Sequence, residues 1–292
     1  MFIIPADPIQ GMVGERATEE TIQSIRQELG LDKPFIIQYS RYLGRLLRGD
    51  LGRSYWTRQD VLTTLLKRFP NTLRLALASM IIAILIGMWL GILPTLIRNP
   101  SISFLVDRLT MILATLFIST PVFWLGLLLI FFFSIKLRLL PACGMGGGEI
   151  KYLILPAITL ATRSAAFIAR ITRTAMLEAI SKEYIRTARA KGLPEWVVIL
   201  KHALRSALIP IVTLIGLDVA SLLNGSILTE TIFGWPGIGR YAWEGIQRRD
   251  MNVVMGSVLF GATVFVIINL VVDIVYHFID PRVRLVERRV FL

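Results

Sequence analysis

Charged residues are scarce in this chain of 292 residues: they make up 18%, while hydrophobic residues make up 54%. Soluble domains carry about a quarter charged residues, so this composition excludes an ordinary soluble domain and indicates an integral membrane protein. Cys143 is the single cysteine, which excludes an internal disulfide and a cysteine-based metal site. The two histidines, His202 and His277, are far apart in sequence, and we assign no metal ligand and no catalytic residue.

Two further absences narrow the function. The sequence contains no Gly-x-x-x-x-Gly-Lys-Ser/Thr phosphate loop, so we expect no ATP site and no cofactor in this chain. The net charge is +12, but the basic residues lie between apolar stretches and do not form one patch, which argues against nucleic acid as a partner. The partner that the composition indicates is a lipid bilayer.

Long apolar runs predict five membrane-spanning helices, because a helix needs about 20 apolar residues to cross the hydrocarbon core. The predicted spans are about 75–97, 109–135, 152–180, 206–229 and 251–279. The fourth and fifth runs each carry one charge, Asp218 and Asp273, and the third run contains Arg163 and then continues as a helical pattern through Arg170 and Arg173. The predicted fold class is an all-α integral membrane protein.

The distribution of Lys and Arg predicts the orientation. Basic residues concentrate between the third and fourth spans and in the tail, 281–292, and short basic loops face the cytoplasm. This bias places the C-terminus in the cytoplasm and residues 1–73 outside, as a small helical region. In that region Thr18 is predicted to cap a helix that runs to Leu29, and a second helix is predicted from Phe35 to Leu47, followed by a turn at Gly49–Gly52.

The longest predicted cytoplasmic loop, 183–204, has the pattern of a short helix, a Gly-Leu-Pro break and a second helix. Such a helix-turn-helix between two spans would form a rigid basic knob, and a partner that pushes on it would move both spans. The alternative is a basic loop without a partner.

Tyr184–Leu193 reads Tyr-Ile-Arg-Thr-Ala-Arg-Ala-Lys-Gly-Leu, which resembles the coupling-helix motif of ABC importer permeases in the dipeptide and oligopeptide branch. The general motif begins Glu-Ala-Ala, whereas this chain has Arg-Thr-Ala, and that departure favours the peptide branch. Other segments resemble family signatures, so that the resemblance covers nearly the whole chain: Gly30–Pro34, Gly49–Gly52, His202–Pro210, Glu230–Phe233, Trp235–Gly239 and Asp280–Arg282.

The start of the chain resembles a truncated version of the family pattern. Met1–Ile4 reads as the end of an apolar helix, and Pro5–Pro8 stands where the family has Pro-Gly-Asp-Pro after its first of six spans. We therefore expect the native product to carry an additional upstream span of about 20 residues.

The resemblance implies the type I importer permease fold, with 74–280 as the permease domain, in a prokaryotic cell membrane. It implies a subunit without enzymatic activity that forms half of a translocation pathway for small peptides. The implied partners are a second homologous permease, two cytoplasmic ATPase subunits that bind ATP and Mg, and an external solute-binding protein. The implied ATPase-coupling residues are Tyr184, Arg186, Thr187, Ala188, Lys191, Gly192 and Leu193, and the implied external-loop residues are Glu230, Phe233, Pro236 and Gly237.

Polar residues inside the spans are the candidates for the pathway: Thr120, Pro121, Asp218 and Asn224. Asp218 lines a pore or packs against the second permease, and Thr120-Pro121 marks a kink. Several alternatives stay open. One alternative is a permease for nickel chelates or for glutathione. The others are a stand-alone carrier and an intramembrane enzyme, whose Asp218 and Asp273 would have to meet at one depth.

Overall fold

The computed structural model describes residue 23, residues 33–97 and residues 99–279. These residues are mostly helical, and their one isolated β-bridge joins Arg53 to Asp60. Two π-helical segments occur: Ile130–Lys136 continues α4, and Val198–Ala203 leads from the turn Glu195–Val197 into α7. The helices are α1 Phe35–Leu46, α2 Val61–Leu96, α3 Pro100–Ser119, α4 Val122–Leu129, α5 Ile150–Ser181, α6 Glu183–Ala190, α7 Leu204–Gly225, α8 Ile227–Ile232, α9 Ile238–Gln247 and α10 Met251–Ile279.

Five helical stretches in the described part of the chain are long and apolar enough to cross a bilayer, which confirms the predicted number. The bounds of the stretches differ from the predicted ones, since α2 begins well before Leu75 and the fourth stretch begins at Glu195. The five stretches are Val61–Leu96, Pro100–Ser119, Ile150–Ser181, Glu195–Val219 and Met251–Val272.

The predicted single span 109–135 is corrected by the structure to two helices. Thr120 ends α3 and Pro121 precedes α4, and both residues have extended backbone, with ψ of 125° and 130°. Proline lacks a backbone N–H and disfavours helical geometry in the residue before it. The helical hydrogen bonds therefore stop at this point, where only a kink was predicted. The run 109–135 does not reveal such a break, because it is uncharged on both sides of Pro121.

The predicted helix Phe35–Leu47 is confirmed as α1. The predicted turn that follows it is present, with Gly49 and Gly52 at φ of 77° and 81°. The predicted helix from Thr18 to Leu29, the start of the chain at Met1–Pro8 and the tail 281–292 lie outside the described residues.

The chain divides into two units, of which the first combines the described residues up to Thr72 with Pro236–Thr263. The beginnings of α2 and α10 therefore belong to this unit, together with α1 and α9. Phe69 and Phe260 meet edge to face at 5.6 Å between ring centroids. The buried apolar core of the unit consists of Leu51, Val61, Leu65, Ile238, Tyr241 and Val253.

The second unit comprises Leu73–Trp235 and the described residues from Val264 onward, and α5 is its central helix. Helix α5 packs against α7, α3 and α4. Small side chains fill much of the buried surface of α5, which lets neighbouring helices approach its backbone closely, as is common in membrane bundles. These buried small residues include Ala161, Ser164, Ala165, Ala169, Thr172 and Ala175.

Gly87 and Gly91 bring α2 against α5. A β-carbon built on Gly87 would lie 2.6 Å from the carbonyl oxygen of Ala165, and one built on Gly91 would lie 2.6 Å from Cβ of Thr172. The two glycines are four residues apart and so lie on one face of α2. This pair fixes the spacing between α2 and the central helix.

Candidate functional site

A short helix connects the third and fourth candidate spans. A single residue, Lys182, separates α5 from α6, and its backbone is extended, with φ of −71° and ψ of 150°. Helix α6 packs against the π-helical segment Val198–Ala203 and against α5. The connecting helix is thus anchored to both of the spans that it joins.

Burial divides α6 into two faces. Ile185 is fully buried and Ala188, three residues later on the same face, is 6% exposed. The other predicted coupling residues are exposed: Tyr184, Arg186, Thr187, Lys191, Gly192 and Leu193. Ala188 therefore packs against helices of this chain, whereas the remaining six residues form an exposed surface, which we call the α6 surface.

The turn after α6 is fixed by one glycine and one ion pair. Gly192 has φ of 73°, in the left-handed region that favours glycine. Arg189 reaches across this turn to Glu195, with Nη2 donating to Oε1 at 2.6 Å and Nε lying 3.2 Å from both carboxylate oxygens. This charge-assisted contact raises the pKa of Arg189 and holds the two sides of the turn together.

Asp218 lies beside a polar cavity in the second unit. The cavity has a volume of about 120 Å³. The electrostatic neighbours of Asp218 are the Ser164 hydroxyl and the Arg163 guanidinium, both on α5. Arg163 also lies over the ring of Phe167, at 5.7 Å from the centroid. The lining residues are Val122, Leu160, Arg163, Ser164, Phe167, Asp218 and Leu222.

Arg163 and Asp218 are 55 positions apart in the sequence, and nothing in the sequence predicts that they are neighbours. The two residues do not belong to a common motif. Their proximity depends on the packing of α5 against α7. The helix break at Pro121, where a kink was predicted, lies next to the same cavity, because Val122 lines it. Thr120 donates its hydroxyl to the carbonyl of Leu116 at 2.8 Å. The side chain of Asn224 lies outside the described residues, as does that of Asp273.

The predicted external loop begins inside a helix. Glu230 lies in α8 and is fully buried, and its Oε1 accepts a hydrogen bond from the Ser226 hydroxyl at 2.9 Å. The predicted external position of Glu230 stays a prediction. Phe233 follows α8 and is also buried, with its carbonyl accepting from the Gly144 N–H at 2.8 Å. Both side chains therefore organise the second unit from within.

Pro236 and Gly237 belong to the first unit, where they lead into α9. The carbonyl of Pro236 accepts a hydrogen bond from the Asn71 amide at 3.0 Å, and the Thr72 hydroxyl accepts one from the N–H of Ile238 at 2.9 Å. These bonds attach the start of α9 to α2, so Pro236 and Gly237 shape the backbone at that junction.

Comparisons with known proteins agree with this arrangement. Residues 83–285 match the family model described as "Binding-protein-dependent transport system inner membrane component", and residues 1–76 match the N-terminal model of the same kind of component. The dipeptide transport system permease protein DppB of Alkalihalophilus pseudofirmus is 41% identical, over 97% of this chain and 92% of the relative. The di/tripeptide permease DppB of Pseudomonas aeruginosa is 42% identical, over 97% and 91%.

A glutathione transport system permease protein, GsiC of Salmonella paratyphi A, is 43% identical over 97% of this chain and 91% of the relative. Among solved structures, the inward-facing MetNI methionine ABC transporter matches with a TM-score of 0.62 at 20% identity, covering 75% of this chain and 97% of the matched chain. At that identity the likeness shows the fold alone. The chain belongs to the binding-protein-dependent transport permeases, the membrane-spanning subunits of ABC importers.

Proposed function

We propose that this permease forms half of a translocation pathway for small peptides, paired with a second, similar permease. Two ATPase subunits would supply the energy by binding ATP and Mg, and an external binding protein would deliver the solute. The observation that carries this proposal is the α6 surface, where three exposed residues stand on a helix anchored to two spans and three more stand on the turn that follows it. The peptide assignment is supported by the relatives named for dipeptide and di/tripeptide transport.

The α6 surface would receive the ATPase. Its polar residues Arg186, Thr187 and Lys191 suit hydrogen bonding to a partner, and Tyr184 and Leu193 add apolar contact area. Because Ile185 and Ala188 anchor α6 from its buried face, a displacement of the helix would pull on both spans. The basic character of this loop supports a cytoplasmic position for the loop, and with it for the C-terminus.

Helix α5 would carry the movement to the pathway. It is continuous from Ile150 to Ser181, and Arg163 and Ser164 lie about 18 residues before its end, which corresponds to roughly 27 Å of helix. A tilt imposed at α6 would therefore change the polar cavity around Asp218. In this scheme Thr120 and Pro121 end one helix beside the cavity, and Asn224 follows Asp218 along α7.

The cavity beside Asp218 suits the charged groups of a peptide and not a whole peptide, because its volume of about 120 Å³ is below the roughly 300 Å³ at which small-molecule sites begin. Arg163 and Asp218 offer a cation and an anion in one place, and a peptide presents a carboxylate and an ammonium. Glutathione is a second candidate solute, since a glutathione permease is 43% identical to this chain. Nickel chelates remain the third alternative from the family resemblance.

The test is purification of the complex from membranes, followed by reconstitution in liposomes with its binding protein. We expect ATPase subunits to co-purify and the ATPase rate to rise when dipeptides are added with the binding protein. Arg186→Glu should abolish this stimulation while the permease still inserts, and Arg41→Glu, an exposed charge reversal on α1, should leave it intact. Stimulation by glutathione but not by dipeptides would reassign the solute, and the absence of any ATPase would refute the proposal.

A further inference from the structure

A second cavity lies in the first unit, and none of the predicted coupling or pathway residues lines it. Its volume is about 670 Å³, within the range of small-molecule sites. Four arginines line it, one from the end of α1, one from the turn that follows and two from the loop before α2, and Asn252 contributes from the start of α10. The four arginines are Arg45, Arg48, Arg53 and Arg58. We call this cavity the arginine pocket.

The two carboxylates that also line the arginine pocket are engaged with the backbone. Oδ1 of Asp50 accepts the N–H of Gly52 at 2.8 Å, and Oδ1 of Asp60 accepts the N–H of Thr63 at 2.7 Å, at the start of α2. The hydrogen bonds from Thr63 hold the pKa of Asp60 below its usual value, with Arg53 as a smaller contributor. Within the described part of the chain, none of the four guanidinium groups forms an ion pair.

The wall that carries Arg53 is held rigidly. The N–H of Ser54 donates to the carbonyl of Gln59 at 2.9 Å, and the Asn252 amide donates to the carbonyl of Arg53 at 2.9 Å. Beneath it, the buried Asp250 accepts from the Ser54 hydroxyl at 2.6 Å and from the N–H of Tyr55 at 2.9 Å. Burial, with the nearby Asp250 carboxylate, raises the pKa of Tyr55.

Arg58 is held in an unusual backbone conformation. Its φ is 57°, a left-handed geometry that costs a residue with a side chain about 1–2 kcal/mol. Such geometry persists where the surrounding loop enforces it, and it often occurs at binding sites. Here the loop closes between Ser54 and Gln59, so that Arg53 and Arg58 stand on the two sides of one turn.

We propose that the arginine pocket binds a small solute that carries at least two carboxylates. Planar guanidinium groups bind carboxylates in a bidentate manner, and four of them without ion pairs suit more than one carboxylate. The volume accommodates a molecule the size of an acidic dipeptide or a tricarboxylate. The site is separate from the polar cavity around Asp218, and it would bind solute without ATP.

The experiment measures binding to the purified permease complex in nanodiscs by isothermal titration calorimetry, with no transport step. The probes are the dipeptide Glu-Glu, citrate as a carboxylate without a peptide bond, and the dipeptide Lys-Lys as the control. We expect Glu-Glu or citrate to bind and Lys-Lys not to bind, and the tighter of the two anions identifies the class of solute. Affinity should weaken as salt is raised, because screening reduces attraction at exposed charges.

Variants locate the site. Arg48→Gln and Arg53→Gln remove exposed charges and should each weaken anion binding by about tenfold, in line with one lost charged hydrogen bond. Arg41→Gln, an exposed arginine of α1 outside the pocket, should leave the affinity unchanged. Anion binding that persists unchanged in both pocket variants, or no anion binding at all, would overturn the proposal. Either result would leave the peptide transport proposal intact, because that proposal is measured by ATPase stimulation.

Discussion

The glycine pair on α2 gives the sharpest stability prediction. In Gly91→Ala, the new β-carbon would lie 2.6 Å from Cβ of Thr172 and 2.8 Å from the carbonyl oxygen of Ala169, where ordinary contacts begin at 3.4 Å. Neither neighbour can retreat by rotating a side chain, since one is a backbone atom and the other is attached directly to the backbone. Helices α2 and α5 would have to separate by somewhat under 1 Å, a distance that overpacked interiors resist.

The magnitude follows from two opposing effects. Overpacking of this kind lowers the free energy of unfolding by about 1–3 kcal/mol, while replacing glycine by alanine inside a helix raises it by about 1 kcal/mol. Gly44→Ala on α1 is the matched control, because a β-carbon there meets nothing within 4 Å and only the gain remains. We therefore expect Gly91→Ala to be about 1–3 kcal/mol less stable than Gly44→Ala. The double variant Gly87→Ala with Gly91→Ala should show the largest loss.

Thermal denaturation in detergent, followed by size-exclusion chromatography with fluorescence detection, would measure the difference. About 2–4 °C of melting temperature accompanies each kcal/mol for a domain of this size. Because α5 leads to α6, the glycine variants should also lower the coupled ATPase rate in liposomes. A melting temperature of Gly91→Ala equal to that of Gly44→Ala would refute the close packing of α2 against α5.

Three further predictions concern the other sites. Ala188→Asp should prevent assembly with the ATPase, because it buries a charge at a position that is 6% exposed. Gly192→Ala should lower the stability of the permease by only about 1 kcal/mol, since its β-carbon would meet nothing within 4 Å. Co-purification with the ATPase distinguishes the two variants. Asp218→Asn should preserve assembly yet change uptake, and normal uptake would exclude Asp218 from the pathway. The pKa of Asp60 is lowered in the folded protein, so the stability that this carboxylate contributes is present above its unfolded pKa of about 4 and is lost as the pH falls through the folded pKa. Acid should therefore lower the melting temperature of the wild type more than that of Asp60→Asn.

The sequence alone determined the class of this protein and the number of its spans. Crossing a bilayer requires a long run of apolar residues, and that requirement is local, so it can be read without knowing which helices touch. The motif at Tyr184–Leu193, which resembles the family's coupling helix, can be recognised in the same way because its residues are consecutive. Local chemistry also predicted α1 and the turn with Gly49 and Gly52.

The tertiary structure decided which residues face each other. Arg163 and Asp218 line one cavity, and Asp107 of α3 pairs with Arg173 of α5, although no periodicity relates the members of either pair. The burial of Ala188 beside the exposed Thr187 depends on the angle at which α6 packs. The arginine pocket likewise combines α1, a loop and the start of α10, because contacts between distant segments form only when the helices pack, and packing is a property of the whole chain.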